Sequence, residues 1–278
     1  MNATAAKLAG FAAALAALFG VGAAAGSIID PSAPGGEVKA EMGHGAMAVM
    51  AVRGLSVAEN GLRVVVDDAE LRRGRTEQLR FRILDEAGHA VRDFDVEHTK
   101  RMHLIVARRD LTGFQHLHPT MGADGTWSAP LRLSEPGSYR LFADFSHDDK
   151  PTTLADDLRV DGAADLRPLP APAPSAVSDG GYDVLLQGGA ARAGSESELR
   201  FTITKDGRPV QTEPYLGAGG HLVALREGDL AFLHVHPTEE HGVEFETDLQ
   251  PDSRYHLYLQ FKHDGRIHTA GFTQEVSG

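Results

Sequence analysis

One block of this chain occurs twice, in the same order and at nearly constant spacing, and that duplication limits what it can fold into. Gly61-Leu62-Arg63-Val64 returns as Gly181-Tyr182-Asp183-Val184, and Leu79-Arg80-Phe81-Arg82-Ile83 as Leu199-Arg200-Phe201-Thr202-Ile203. Met102-His103-Leu104-Ile105-Val106 matches Gly220-His221-Leu222-Val223-Ala224. Phe114-Gln115-His116-Leu117-His118-Pro119 matches Phe232-Leu233-His234-Val235-His236-Pro237. Tyr139-Arg140-Leu141-Phe142-Ala143-Asp144-Phe145 matches Tyr255-His256-Leu257-Tyr258-Leu259-Gln260-Phe261, and His147-Asp148 matches His263-Asp264. The offset runs only from 116 to 120. Ordered self-similarity of this kind marks two copies of one structural unit.

Each copy is a series of short apolar or alternating runs separated by turn residues. In copy one the runs are 62–67, 78–84, 102–107, 114–118, 126–133, 138–145 and 153–160. Between them stand turn signals such as Asp85-Glu86-Ala87-Gly88, Gly122-Ala123-Asp124-Gly125 and Glu135-Pro136-Gly137. Short strands in close succession, with no long helical period, predict an all-β fold of two tandem immunoglobulin-like or cupredoxin-like β-sandwich domains. The Cys…Trp…Cys pattern of a true immunoglobulin domain is absent, because the chain has no cysteine.

Outside the copies the composition changes. Lys7 precedes Leu8–Gly26, an uninterrupted run of apolar and small residues. Residues 1–26 therefore read as an N-terminal hydrophobic helix, either a signal peptide with an Ala-x-Ala site near Ala23–Ala25 or an uncleaved membrane anchor. The length tips the balance to the anchor. Either way the rest of the chain is expected outside the cytoplasm, secreted or anchored to the cell membrane and facing outward. Residues 27–55 read as a flexible tether, 56–162 as the first sandwich, 163–180 as a Pro/Ala-rich linker and 181–278 as the second sandwich. Pro168, Pro170, Pro172 and Pro174 should stiffen that linker into an extended spacer. With 39 acidic against 27 basic residues, the net charge of −12 and the lack of any basic run argue against nucleic acid as a partner. Without cysteine, a metal site must be built from imidazole, carboxylate, thioether or backbone groups.

Four histidine positions recur in both copies: His103, His116, His118 and His147, then His221, His234, His236 and His263. Side chains at i and i+2 of a strand share a face, so His116 and His118 point the same way and Leu117 the other. Pro119 cannot donate a ladder hydrogen bond and should end the pairing. A hairpin through 108–113 would set His103 beside His118. Three imidazoles meeting at one sandwich end suit copper, zinc or nickel. The same pattern also fits buried histidines that bond backbone carbonyls. His147 and His263 read as further ligands or as loop residues, while His89, His241, His256 and His268 lack counterparts and are expected on the surface. In the tether, Met42, His44, Met47 and Met50 form a soft-donor segment able to pass copper(I) to a folded site, unless their clustering is incidental.

The segment Glu97-His98-Thr99-Lys100-Arg101-Met102-His103-Leu104-Ile105-Val106, with His116-Leu117-His118-Pro119 and Tyr139–Phe145, resembles a bacterial envelope family of actinobacterial type, similar to YtkA-like domains and described as secreted or heavy-metal-binding. The resemblance implies a β-sandwich outside the cytoplasm more than it implies a mechanism; on the metal-handling reading His103, His116 and His118 are the core ligands, with Met102 or His98 as modifiers. Copy two departs from it, having Leu216 for His98 and Gly220 for Met102.

The leading expectation is a non-enzymatic, extracytoplasmic metal-handling protein, with copper as the metal and zinc as the alternative. A second is a structural envelope module that docks another envelope protein and uses its histidines to hold the fold. A third is a cupin-like metalloenzyme: Gly228, His234, His236 and Glu240 have the first cupin spacing, but the glycine after the Glu and the whole second motif are missing.

Overall fold

The computed structural model describes residues 52–187, 197–233, 235–238, 243–247 and 249–276. The N-terminal hydrophobic run and nearly all of the tether, including Met42, His44, Met47 and Met50, lie outside them, as do His234, Glu240 and His241. Among the described residues every regular element is a strand, and no helix is long and apolar enough to cross a membrane.

Repeat one contains β1 (Ala58–Glu59), β2 (Leu62–Val66), β3 (Glu70–Leu71), β4 (Thr76–Leu84), β5 (His103–Arg108), β6 (Gln115–Leu117), β7 (Thr120–Met121), β8 (Trp127–Arg132), β9 (Gly137–His147) and β10 (Lys150–Val160). Repeat two contains β11 (Ser175–Val177), β12 (Asp183–Gln187), β13 (Ser197–Lys205), β14 (Arg208–Pro209), β15 (His221–Arg226), β16 (Phe232–Leu233), β17 (His236–Pro237), β18 (Glu244–Thr247), β19 (Ser253–His263) and β20 (Arg266–Val276). The first sandwich sets sheet β1-β2-β4-β8-β7 against sheet β3-β10-β9-β5-β6, and the second sets β11-β12-β13-β18-β17 against β16-β15-β19-β20. The chain is thus two tandem β-sandwiches. Strand β11 falls inside the proline-bearing connection and already pairs with β12.

Each sandwich has its own core. Leu79, Phe81, Leu104, Val106, Trp127 and Leu141 are among those filling the first; Val184, Phe201, Leu222, Ala224, Phe245 and Leu257 are among those filling the second. A third apolar cluster joins the two repeats, with Ile105, Ala107, Leu111 and Phe142 from one side and Val223, Leu225, Leu230, Phe232 and Tyr258 from the other. Along β5, Leu104 and Val106 enter the sandwich core while Ile105 and Ala107 enter this cluster, and β15 divides Leu222 and Ala224 from Val223 and Leu225 in the same way. This explains why His-Leu-Ile-Val-Ala and His-Leu-Val-Ala-Leu lack an alternating pattern: strands buried on both faces read as continuous apolar runs. The proline-rich connection does not hold the repeats apart; both belong to one compact unit.

The joint has an approximate two-fold character. Phe114 stacks on Tyr258 at 3.9 Å between ring centroids and 8° between planes, and the counterpart pair Phe232 and Phe142 meets at 5.6 Å. The Tyr258 hydroxyl donates to the Leu111 carbonyl, so this ring is anchored at both its apolar body and its polar tip.

Candidate metal centre

The hairpin of β5 and β6 places the first histidines. Its register pairs Ile105 with His116 and Leu104 with Leu117, which carried one step further sets His103 opposite His118. Leu117 packs against the first sandwich core. Neighbours on a strand point to opposite faces, so His116 and His118 point with Ile105 toward repeat two. The strand ends before His118, Pro119 follows, and pairing resumes at β7 in the other sheet. His118 therefore stands at the corner where the chain changes sheets.

His103, His116 and His118 each offer a ring nitrogen, and these three atoms lie within 4.8 Å of one another. His103 Nδ1 and His116 Nε2 are 3.0 Å apart. The outer nitrogens of these two rings are committed elsewhere. His103 Nε2 lies 3.2 Å from the Glu97 carbonyl, and His116 Nδ1 lies 2.8 Å from Oε1 of Gln260. The Gln260 amide donates to Thr269 Oγ1, leaving Oε1 as an acceptor. Both outer nitrogens must therefore carry hydrogen. In neutral rings the inner nitrogens then face each other lone pair to lone pair, an arrangement that repels unless a cation or proton lies between them. His118 Nε2 is buried and has no hydrogen-bond partner among the described residues.

The electrostatics favour uncharged rings at His116 and His118. Burial, reinforced by the charges of His103 and His118, pushes His116 down to about 3. Burial, with His103 and Lys100, pushes His118 down to about 4. Asp144 is cross-strand from His103. It is buried and accepts a 2.7 Å hydrogen bond from Thr153 Oγ1. Three converging imidazoles, two of them held uncharged by burial, fit a transition-metal cation in donor type. Tetrahedral zinc–imidazole geometry sets ligand nitrogens about 3.3 Å apart, close to the separation of the His103–His116 pair.

Two more imidazoles border the triad. His221 of repeat two stacks on His116 at 4.8 Å and 25° and on His103 at 5.5 Å and 9°. His98 has its ring 6.1 Å from that of His103 and 5.8 Å from that of His221. It occupies a two-residue turn closed by reciprocal bonds between the backbones of Glu97 and Lys100. That turn puts His98 at φ 45° and Thr99 at φ 67°, a conformation that favours Asn-Gly and is costly for a β-branched residue. Its carbonyl at Glu97 is the one that orients His103. A cleft of about 540 Å³ between the repeats borders His116 and Gln260 and also takes in Phe114, Tyr258 and His256.

Other expected ligands lie elsewhere. Met102 is 1% exposed and packs in the first sandwich core, on the opposite face from His103. His147 bonds the Asp93 carbonyl through Nδ1 at 2.9 Å, and His263 bonds the Tyr182 hydroxyl at 2.9 Å. Both end the long strand of a hairpin whose next residues, Asp148-Asp149 and Asp264-Gly265, take positive φ. Turn geometry accounts for the recurring Asp of that His-Asp pair. The backbone of His236 lies in β17, but its side chain, like all of His234, is outside the described residues. His268 is buried and His256 half-buried, not surface residues. Gln260 and Asp144 occupy equivalent positions in the two repeats and were not singled out from sequence. Their one signal was a polar residue inside an apolar run, Ala143-Asp144-Phe145 and Leu259-Gln260-Phe261.

Comparison with known proteins returns the same duplication without a function. A family model described as "Domain of unknown function (DUF8832)" matches residues 56–162 and again 175–278. No curated protein matches the sequence. Among solved structures, the Escherichia coli adhesin FdeC is similar at 14% identity, over 80% of this chain and 66% of that one, with a TM-score of 0.29. A Salmonella alpha-2-macroglobulin reacted with methylamine is similar at 15% identity, over 82% of this chain and 15% of that one, with a TM-score of 0.29. A chimeric titin Z1Z2 tandem is similar at 12% identity, over 78% of this chain and 100% of that one, with a TM-score of 0.21. The chain spans less than two thirds of the first two, and likeness at these scores bears on neither fold detail nor function.

Proposed function

The chain belongs to this family through both of its repeats, and from the chemistry of the site between them we propose that it binds a transition-metal ion as a non-enzymatic, extracytoplasmic metal-handling protein. One observation carries the proposal: His103 Nδ1 and His116 Nε2 face each other at 3.0 Å while hydrogen bonds to carbonyl oxygens fix their opposite nitrogens. A cation there removes the lone-pair repulsion, and the orphaned Nε2 of His118 supplies a third donor. Copper(II) is the preferred ion, since it heads the affinity order for nitrogen sites, and zinc is the alternative. The methionine and histidine segment 42–50 supports copper by offering soft donors for its reduced form. The resemblance to heavy-metal-binding envelope proteins and the N-terminal apolar run support a place outside the cytoplasm.

Calorimetric titration of the full chain with Cu(II) and with Zn(II) tests this. One ion per chain is expected for wild type, and the His116→Ala/His118→Ala variant should lose at least a hundredfold in affinity. Unchanged stoichiometry and affinity in that variant would sink the proposal. A second reading draws on the same contact: His103 and His116 share a proton, and the histidines only hold the repeats together, as in a partner-docking module. On that reading wild type takes up no metal and the double variant unfolds far more easily without any ion.

A further inference from the structure

We infer that the second repeat is part of the first repeat's metal centre, with Gln260 as the positioning residue that presents His116 to the ion. The inference rests on the metal reading above and extends it to the partner repeat. All three donor rings come from repeat one, yet the group that sets the tautomer of His116 lies 144 residues away in sequence. Gln260 sits on β19, opposite His221 in the β15–β19 register. Its amide is held in turn by Thr269 on β20, so the acceptor oxygen is aimed by two hydrogen bonds. A metal-binding imidazole needs its far N–H engaged to hold both tautomer and ring orientation, and loss of such a partner weakens binding ten- to a hundredfold. Removing the Gln260 acceptor would free His116 to protonate at Nε2, the atom that faces the site.

The rest of the joint supports this arrangement. Phe114, two residues before His116, stacks on Tyr258, two residues before Gln260. The short strand β6 is thereby clamped between its own sheet and the second repeat. His221, the counterpart of His103, lies as a lid over His103 and His116. Repeat one offers Asp144 at the position equivalent to Gln260, buried next to its own His103. Among the described residues the two copies have therefore divided one centre between them, donor rings in the first, orienting amide and covering imidazole in the second. Coupling is reciprocal: if docking of repeat two strengthens ion binding, the ion strengthens that docking by the same factor.

The test uses the full chain and Zn(II), a diamagnetic probe. In metal-free wild type, long-range imidazole nitrogen–proton NMR should show His116 as the Nδ1–H tautomer. Gln260→Met, similar in length but without an acceptor, should mix the tautomers and weaken Zn(II) about tenfold. Gln260→Glu, which restores an acceptor, should bind at least as tightly as wild type. An Nε2–H tautomer for His116 in wild type overturns the inference without any variant. So does wild-type affinity in Gln260→Met. Wild type that binds no Zn(II) or Cu(II) overturns the metal reading and this inference together, whereas binding indifferent to Gln260 overturns the inference alone.

Discussion

The two repeats share a backbone plan but not their chemistry, and the contrast is sharpest where the plans coincide. After β5, Arg108 and Asp110 form an ion pair at 2.6 Å with side chains 1% and 3% exposed. After β15, Arg226 and Asp229 do the same at 2.6 Å with side chains 20% and 43% exposed. Arg108 is further enclosed by the carbonyls of Pro136 and Asp165. Before β5 the tight turn carries His98-Thr99; before β15 the same turn carries Leu216-Gly217, again with both residues at positive φ. The turns approach each other, since a Cβ on Gly217 would stand 3.8 Å from Thr99 Cγ2. Repeat two therefore has the relaxed version of each feature. Repeat one bears a buried ion pair at the far end of β5 and, beside its imidazoles, a strained turn, and such backbone strain gathers at functional sites.

Metal affinity should separate counterparts most strongly. His103→Ala removes a donor and should weaken Cu(II) or Zn(II) at least a hundredfold in chelator competition. His221→Ala removes the ring stacked on His103 and His116 and should cost about tenfold, in the range of outer-shell changes. Equal losses would mean the repeats contribute alike. Stability comes next. Arg108→Ala strands a buried carboxylate and should cost about 3–5 kcal/mol in urea unfolding, whereas Arg226→Ala, breaking a partly solvated pair, should cost about 0–1 kcal/mol.

The same contrast has a pH signature. Burial alone would raise the Asp110 carboxyl, but hydrogen bonds from Arg108, from the Arg167 N–H and from Thr112 hold it well below the usual carboxylate range. A folded-state value below the unfolded value of about 3.9 means the stabilisation is present above that pH and is lost as the pH falls further. Asp110→Asn should therefore flatten the acid side of the stability curve more than Asp229→Asn. The smallest effect concerns the turns: Thr99→Gly should stabilise by about 1 kcal/mol through relief of left-handed strain, and Gly217→Thr should destabilise by a similar amount. Thermal melting of both reads this directly, and a stabilising Gly217→Thr would remove strain from the account.

Much of the site was legible in the primary structure because its logic is local. The i and i+2 spacing of His116 and His118, the hairpin turn before Phe114 and the break at Pro119 require only strand geometry, and together they bring His103, His116 and His118 within reach. Met102 shows the limit of the same reasoning. It neighbours His103 in sequence, but the pleat sends it into the opposite core. His147 and His263 recur in sequence yet bond different partners, the Asp93 carbonyl and the Tyr182 hydroxyl, which spacing alone does not reveal.

From the amino-acid order alone one learns that the chain is a duplicated all-β protein with histidines repeated on one strand face. Backbone periodicity acts over a few residues and needs no partner to be read. Only the tertiary structure decided that the outer faces of two sandwiches form a common interior, that Gln260 reaches His116 from 144 positions away, and that His221 covers the donors. That choice depends on burying Ile105, Phe142, Val223 and Tyr258 against one another. Apolar burial is non-directional, so no spacing rule written along the chain announces which two faces will meet.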